Sequence, residues 1–189
     1  MTDLAIVEFE YARHDISKMK SAENFESYEM NWKNFLSNLD RGWNKLEKLL
    51  ARCNSVKKSD IDKVIQHRNT DSLLQYLKQA RNANEHTIEQ IVDKSPAATR
   101  ITGGPGGGII YRGSVSGGKE SHSLVYDNLE IEFIPESLCV IKVTNRGKTY
   151  PPPQGHLNKP IKTKIPHEIA QIGLDFYLNF LAVLNTVRN

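Results

Sequence analysis

The chain has 189 residues, 39% of them hydrophobic, with 25 Lys and Arg against 22 Asp and Glu, a formal net charge of +3 and a pI near 8.8. That length suffices for one full core, and no apolar run approaches the roughly 18 residues of a membrane span. The opening MTDLAIVEFEYARHD sets Asp3 and Glu8 where a secretory signal would be basic and then apolar, so a cytoplasmic location without a membrane partner is expected. The mild positive charge favours an anionic partner without identifying one. Cys53 and Cys139 lie far apart in apolar surroundings and read as buried free thiols, with no metal-ligand spacing.

Residues 3–19 alternate apolar and polar side chains in a way that suits a short helix or a strand, and helix is the favoured reading. From about Ala22 to Cys53 the apolar set Phe25, Tyr28, Trp32, Phe35, Leu36, Leu39, Trp43, Leu46 and Leu50 recurs at three and four, which predicts one helix about 45 Å long. Gly42 in its middle predicts a kink or the close approach of a neighbour. Ser59 before Asp60 and Asp62 looks like a helix start, with a short helix running to about His67. Asn69, Thr70, Asp71 and Ser72 then form a turn and cap that launch the next helix.

That next stretch, LLQYLKQARNANEHTIEQIV over residues 73–92, organises the chain. At about 100° per residue, Leu73, Leu77, Ala80, Asn84, Ile88 and Ile91 fall on one stripe, so one face is predicted to be core and the helix to stop before Pro96. The opposite face carries Gln75, Gln79, Asn82, Ala83, His86 and Gln90, none with a fixed charge. A solvated face usually has Lys and Glu, so this one predicts a covering partner or ligand. Asn82 and His86, four apart, are neighbours on the helix, whereas Arg81 lies about 140° from His86. Asn84 on the core stripe should be hydrogen-bonded.

After Lys94 the composition changes to TGGPGGG and a second glycine pair at 117–118, which excludes helix. Ile109–Val115, Leu124–Pro135 and Leu138–Thr144 are rich in β-branched and aromatic residues, predicting three or four antiparallel strands with hairpin connections at 135–137 and 145–148. Tyr150-Pro151-Pro152-Pro153 reads as an extended connector, and from Pro166 a last helix presents Ile169, Ile172, Phe176, Tyr177, Phe180, Leu181 and Leu184 to the core. The expected fold is mainly α and a single domain over 1–189. Its helical core covers 1–94 and 166–189, with a small antiparallel β insertion and Gly/Pro-rich connectors over 95–165, and the C-terminal helix closes the core.

The run Arg81-Asn82-Ala83-Asn84-Glu85-His86 resembles the signature of HEPN-domain proteins, in which an Arg, a polar residue directly after it and a His a few positions on sit in a helix of an all-α bundle. The resemblance covers six residues and their helical context. It implies a HEPN-like bundle, a homodimer with the two motifs face to face, and metal-independent endoribonuclease action on RNA. Many such proteins are toxins or phage-defence effectors, which adds an antitoxin protein as a partner. It further implies Arg81, Asn82 and His86 as the catalytic set and no metal or other cofactor; from their places on the helix, Gln79 and Glu85 are expected to bind or order the site, and Asn84 to order it or to serve a structural role.

The chemistry is consistent with the residue types. An imidazole suits proton removal from a ribose 2′-OH, and a guanidinium suits the charge gathering on phosphate. The plain structural reading is that Arg81 pairs with Glu85 one turn later and His86 lines a dimer contact. A non-catalytic dimeric binding or scaffold protein is the alternative, suggested by the β insertion, which a minimal nuclease does not need. TGGPGGG and Gly117-Gly118-Lys119 lack the spacing and the strand-to-helix setting of a phosphate loop, so the first is read as a flexible loop. The remaining histidines lack metal-ligand spacing.

Overall fold

The computed structural model describes residues 3–51, 58–86, 91–96, 98–103, 109–116, 119–126, 129–134 and 137–188, of which 3, 86, 98–134 and 185–188 are described in backbone only. The protein is mainly helical, and its chain divides into two compact units, residues 1–93 with 138–189 and residues 94–137. Among the described residues no helix is long and apolar enough to cross a membrane.

The first unit is built on α1 (Asp3–Lys20), α2 (Phe25–Leu50), α3 (Lys58–Thr70), α4 (Ser72–His86) and α5 (Pro166–Arg188). α1 forms as the helical alternative required: Ala5, Phe9, Ala12, Ile16 and Met19 recur at three and four and are buried. α2 starts where Asn24 accepts from the Ser27 amide at 2.8 Å, and its apolar stripe packs along α1. The seam also holds charge. Glu8 accepts from Arg41 Nε at 3.0 Å and Lys45 Nζ at 2.6 Å, and Asn38 Nδ2 donates to Asp15 at 2.6 Å. Burial would raise the Glu8 pKa, but the hydrogen bonds from Lys45 and Arg41 carry it below the ordinary value. Asp15, with burial dominant, is raised.

Gly42 marks a close approach. A Cβ built there would lie 2.6 Å from Phe9 Cε1, and Phe9 in turn stacks on Tyr177 of α5 with centroids 5.7 Å apart. The α1–α2 contact and the returning α5 therefore meet at one aromatic cluster, completed by Trp43, whose ring lies 5.7 Å from Tyr177. At the start of α5, Tyr28 Oη accepts the His167 amide at 3.2 Å and shares a second hydrogen bond with His167 Nδ1 at 2.9 Å. Burial lowers the imidazole pKa of His167 and raises the Tyr28 phenol to about 12.

Among the described residues the strands are more numerous than the three or four expected, ten in five two-stranded pairs. β1 (Val92–Ser95) pairs with β6 (Ser137–Val140), β2 (Ala98–Gly103) with β5 (Leu129–Ile134), and β3 (Ile109–Ser116) with β4 (Lys119–Tyr126). The registers are antiparallel, from Ala98↔Ile134 to Gly103↔Leu129 and from Ile109↔Tyr126 to Ser116↔Lys119. The three pairs are nested in sequence, each inside the one before. The connection expected at 135–137 does not join partners: β5 and β6 pair with β2 and β1. The glycine-rich residues 104–108 and the pair 117–118 lie outside the described residues.

Two short hairpins follow in the first unit. β7 (Val143–Asn145) and β8 (Lys148–Tyr150) turn through Arg146 and Gly147, whose φ values of 50° and 75° meet the positive-φ demand of a two-residue turn. That connection matches the expectation for residues 145–148. Within the stretch expected to be an extended connector, β9 (Gly155–His156) and β10 (Lys159–Pro160) form a second hairpin through Leu157 and Asn158, at φ 47° and 65°. A γ-branched residue in the left-handed region is uncommon and strained. Cys139 is free and half-buried, and Cys53 lies outside the described residues.

Gly42→Ala should lower stability by about 1 kcal/mol, because overpacking against Phe9 (~2 kcal/mol) outweighs the gain in helix propensity (~1 kcal/mol). Urea unfolding checks this, and adding Phe9→Leu should restore most of the loss. A Gly42→Ala protein more stable than the parent would contradict the packing described.

Candidate nucleic-acid interface

α4 is positioned at its start and along one side. At its start Asp71, the residue before Ser72, accepts from the amides of Leu73 and Leu74 at 3.1 Å each, so the cap falls within the turn expected at 69–72. Its buried face is Leu73, Leu74, Tyr76, Leu77, Ala80 and Ala83. Ala83 thus belongs to the core and not to the uncharged outer face, while Asn84, expected on the core stripe, is half-buried. α4 is described as far as His86, residues 87–90 lie outside the described residues, and β1 begins at Val92, so the helix does not run on toward Pro96 as expected. The β-branched pair Ile91 and Val92 suits strand better than helix, while its apolar spacing satisfies either period. Ile91 and Val92 are buried all the same.

The uncharged outer face is covered in part by the chain itself. β7 packs along α4, where Asn145 Nδ2 donates to Gln79 Oε1 at 2.7 Å and Tyr76 Oη donates to the Ile141 carbonyl at 2.6 Å. Beside that contact lies an open groove of about 450 Å³, floored by Gln79, Asn82 and Asn145 and flanked by Lys78, Arg146, Lys148 and Tyr150. The Lys148 ammonium sits 5.2 Å from the centroid of the Tyr150 ring. Lys78 donates to Asn69 Oδ1 at 3.1 Å, and burial, assisted by the nearby Arg68 charge, lowers its pKa. Three cations, three amides and one aromatic face are the complement of a single nucleic-acid strand: charge for phosphates, amides for base or sugar edges, a ring for stacking.

Of the residues singled out from sequence, Gln79 and Asn82 line this groove. Arg81 does not. It is half-buried and turns toward α2, where Nε lies 3.6 Å from Asp40 Oδ2, an ion-pair distance beyond hydrogen-bond length, and Nη1 donates to Asn82 Oδ1 at 3.3 Å. Asp40 also accepts from Arg68 Nη2 at 2.5 Å, and Arg68 Nε donates to Tyr177 Oη at 3.2 Å with its guanidinium 5.2 Å from the Trp43 ring. The ion pair of Arg81 is therefore with Asp40 across the helix interface, in place of the one expected with Glu85 a turn on, and Glu85 is exposed. Asp40 is the stronger competitor because it is held in place by a second guanidinium. His86 is the last residue of α4, described in backbone only, one helical turn from Asn82. Among the described residues no three His, Cys, Asp or Glu side chains come together to hold a metal ion.

Lys78, Asn145, Arg146, Lys148 and Tyr150 were not among the residues that sequence pointed to. Arg146 and Lys148 read as a solvated cluster, and their role depends on a packing of β7 against α4 between residues 66 positions apart. Comparison with protein-family models, with curated proteins and with solved structures finds no match to this chain.

Asp40→Ala leaves Arg68 and Arg81 without their shared carboxylate and should lower stability by about 3 kcal/mol. Arg81→Ala leaves Asp40 paired with the more deeply buried Arg68 and should lose under about 1 kcal/mol. Urea unfolding distinguishes the two, and equal losses would contradict the central place given to Asp40.

Proposed function

We propose that the protein is a HEPN-type endoribonuclease that binds single-stranded RNA in the groove between α4 and the β7–β8 hairpin and, as a homodimer, cleaves it without a metal. The observation that carries this reading is the groove itself: Arg146, Lys148 and Tyr150 of the β7–β8 hairpin line it together with Lys78 of the helix that bears Arg81, Asn82 and His86. The groove guides the strand by its phosphates and stacks a base on Tyr150. His86, from both copies of the dimer, takes the proton of a ribose 2′-OH, whose oxygen attacks the adjacent phosphorus. The bond to the 5′ oxygen breaks, that oxygen is protonated, and a 2′,3′-cyclic phosphate remains. Asn82 orients the phosphate or the imidazole, and Arg81 stabilises the charge developing on phosphate. Gln79, Asn84 and Glu85 bind or order the site. A protein antitoxin covering the groove is the partner that a toxin role adds.

A second reading, RNA or protein binding without turnover, is favoured by one observation: Arg81 already has an ion-pair partner in Asp40, which blunts its pull on a phosphate.

Purified protein incubated with single-stranded RNA in excess chelator should yield fragments ending in 2′,3′-cyclic phosphate, and His86→Ala should lower the rate at least about 100-fold. Cleavage at the parental rate in that variant would rule out the catalytic assignment. Tight binding with no cleavage by the parent would favour the second reading.

A further inference from the structure

A second hollow, of about 540 Å³, opens between α3, the β9–β10 hairpin and α5, away from the α4 groove. Val64, Ile172, Phe176 and Phe180 wall it, and two large apolar side chains stand at its mouth, Leu157 and Val183, 41% and 58% exposed. One polar device faces this apolar space. His156 Nδ1 lies 2.9 Å from Asp71 Oδ1, with both side chains largely buried, and the His156 ring packs edge-on against Phe176.

Asp71 is the anchor of that device. It accepts from Leu73, Leu74 and Leu157 amides as well as from the imidazole. Burial alone would raise its pKa, but the hydrogen bonds from His156, Leu157 and Leu74 bring it below the ordinary value, so it is a carboxylate and accepts only. The proton of the pair therefore sits on His156 Nδ1, and Nε2 has no hydrogen-bond partner among the described residues. Lys159, on the next strand of the hairpin, adds a cation to the lining, against the Asp175 carboxylate, which is itself engaged by Gln171 Nε2 at 2.8 Å. Leu157 is strained at φ 47° where Asn or Gly would be relaxed, and the strained conformation keeps its side chain at the mouth.

We propose that this hollow binds a medium-chain carboxylic acid, its chain on Phe176 and Phe180 and its carboxyl group on His156 Nε2 and Lys159. An acid fits better than an alcohol because its anion, binding together with one proton from solvent, meets an Nε2–H that donates to it in a charge-assisted hydrogen bond, with Lys159 stabilising the anion, whereas an alcohol makes only a neutral hydrogen bond to Nε2. An amine is repelled by Lys159. The volume is that of an ordinary small-ligand pocket. The site makes no use of the RNA groove and stands or falls separately from it.

Octanoate is the probe, with 1-octanol and octylamine as its neutral and cationic counterparts, titrated into the full-length protein labelled with 15N-histidine. Octanoate should bind saturably with a Kd below about 1 mM and shift the His156 ring nitrogen resonances, and octanol and octylamine should bind at least about tenfold more weakly. Val183→Glu, a change at an exposed mouth position that leaves the fold intact by circular dichroism, should weaken octanoate at least about tenfold. The proposal is overturned by absence of saturable octanoate binding. It is equally overturned if the alcohol or the amine binds as tightly as the acid, or if the Kd is unchanged in Val183→Glu.

Discussion

The Asp40 carboxylate is the point on which the helical unit depends. It lies on α2 and accepts Arg68 from α3 while holding Arg81 of α4 at ion-pair distance, so three helices answer to one group. Arg68 in turn reaches Tyr177 on α5 and lies over Trp43, which ties the ionic centre to the aromatic cluster where Phe9 of α1 fills the space left by Gly42. A charge in this position is tolerated because two guanidiniums face it, and the arrangement fixes how α4 is rotated about its own axis. That rotation decides which residues of the motif helix face outward.

Gln79 and Asn82 face the groove because Arg81 faces Asp40. The β7–β8 hairpin then meets Gln79 through Asn145, bringing Arg146, Lys148 and Tyr150 beside Lys78. The same chain segment carries a second hairpin, whose His156 and Leu157 are held by the Asp71 cap at the start of α4. The groove and the hollow are therefore each assembled by docking a short hairpin onto α4, one along its side and one at its first turn.

Much of the helical unit was legible because its helices bury apolar residues at three and four: α2 and α5 from their stripes, Gly42 from its position, and the α4 cap from Asn69 to Ser72. The strand that starts at Val92 was not, since Ile91 and Val92 satisfy a helical stripe and a strand equally. The nested strand pairs were visible only as strand-forming segments, because pairing Ala98 with Ile134 or Ile109 with Tyr126 is a register that no local pattern encodes. The turn at Arg146 and Gly147 follows the usual chemistry, whereas the one at Leu157 and Asn158 breaks it and so hid inside a proline-rich connector. For the site, Gln79 and Asn82 stood out by lacking charge where charge is normal. The cations that complete the groove come from sequence far away, and Arg81 was drawn inward by a carboxylate that nothing in its own helix announces.

The most direct test of the account is photo-crosslinking of the intact protein to a single-stranded RNA carrying 4-thiouridine, with the adducts mapped by mass spectrometry. Adducts on Tyr150 and on the peptides carrying Lys78, Arg146 and Lys148 are predicted, suppressed by unlabelled RNA and by raised salt. Adducts that avoid the hairpin of residues 143–150 and the face of α4 would contradict the assignment of this groove to RNA.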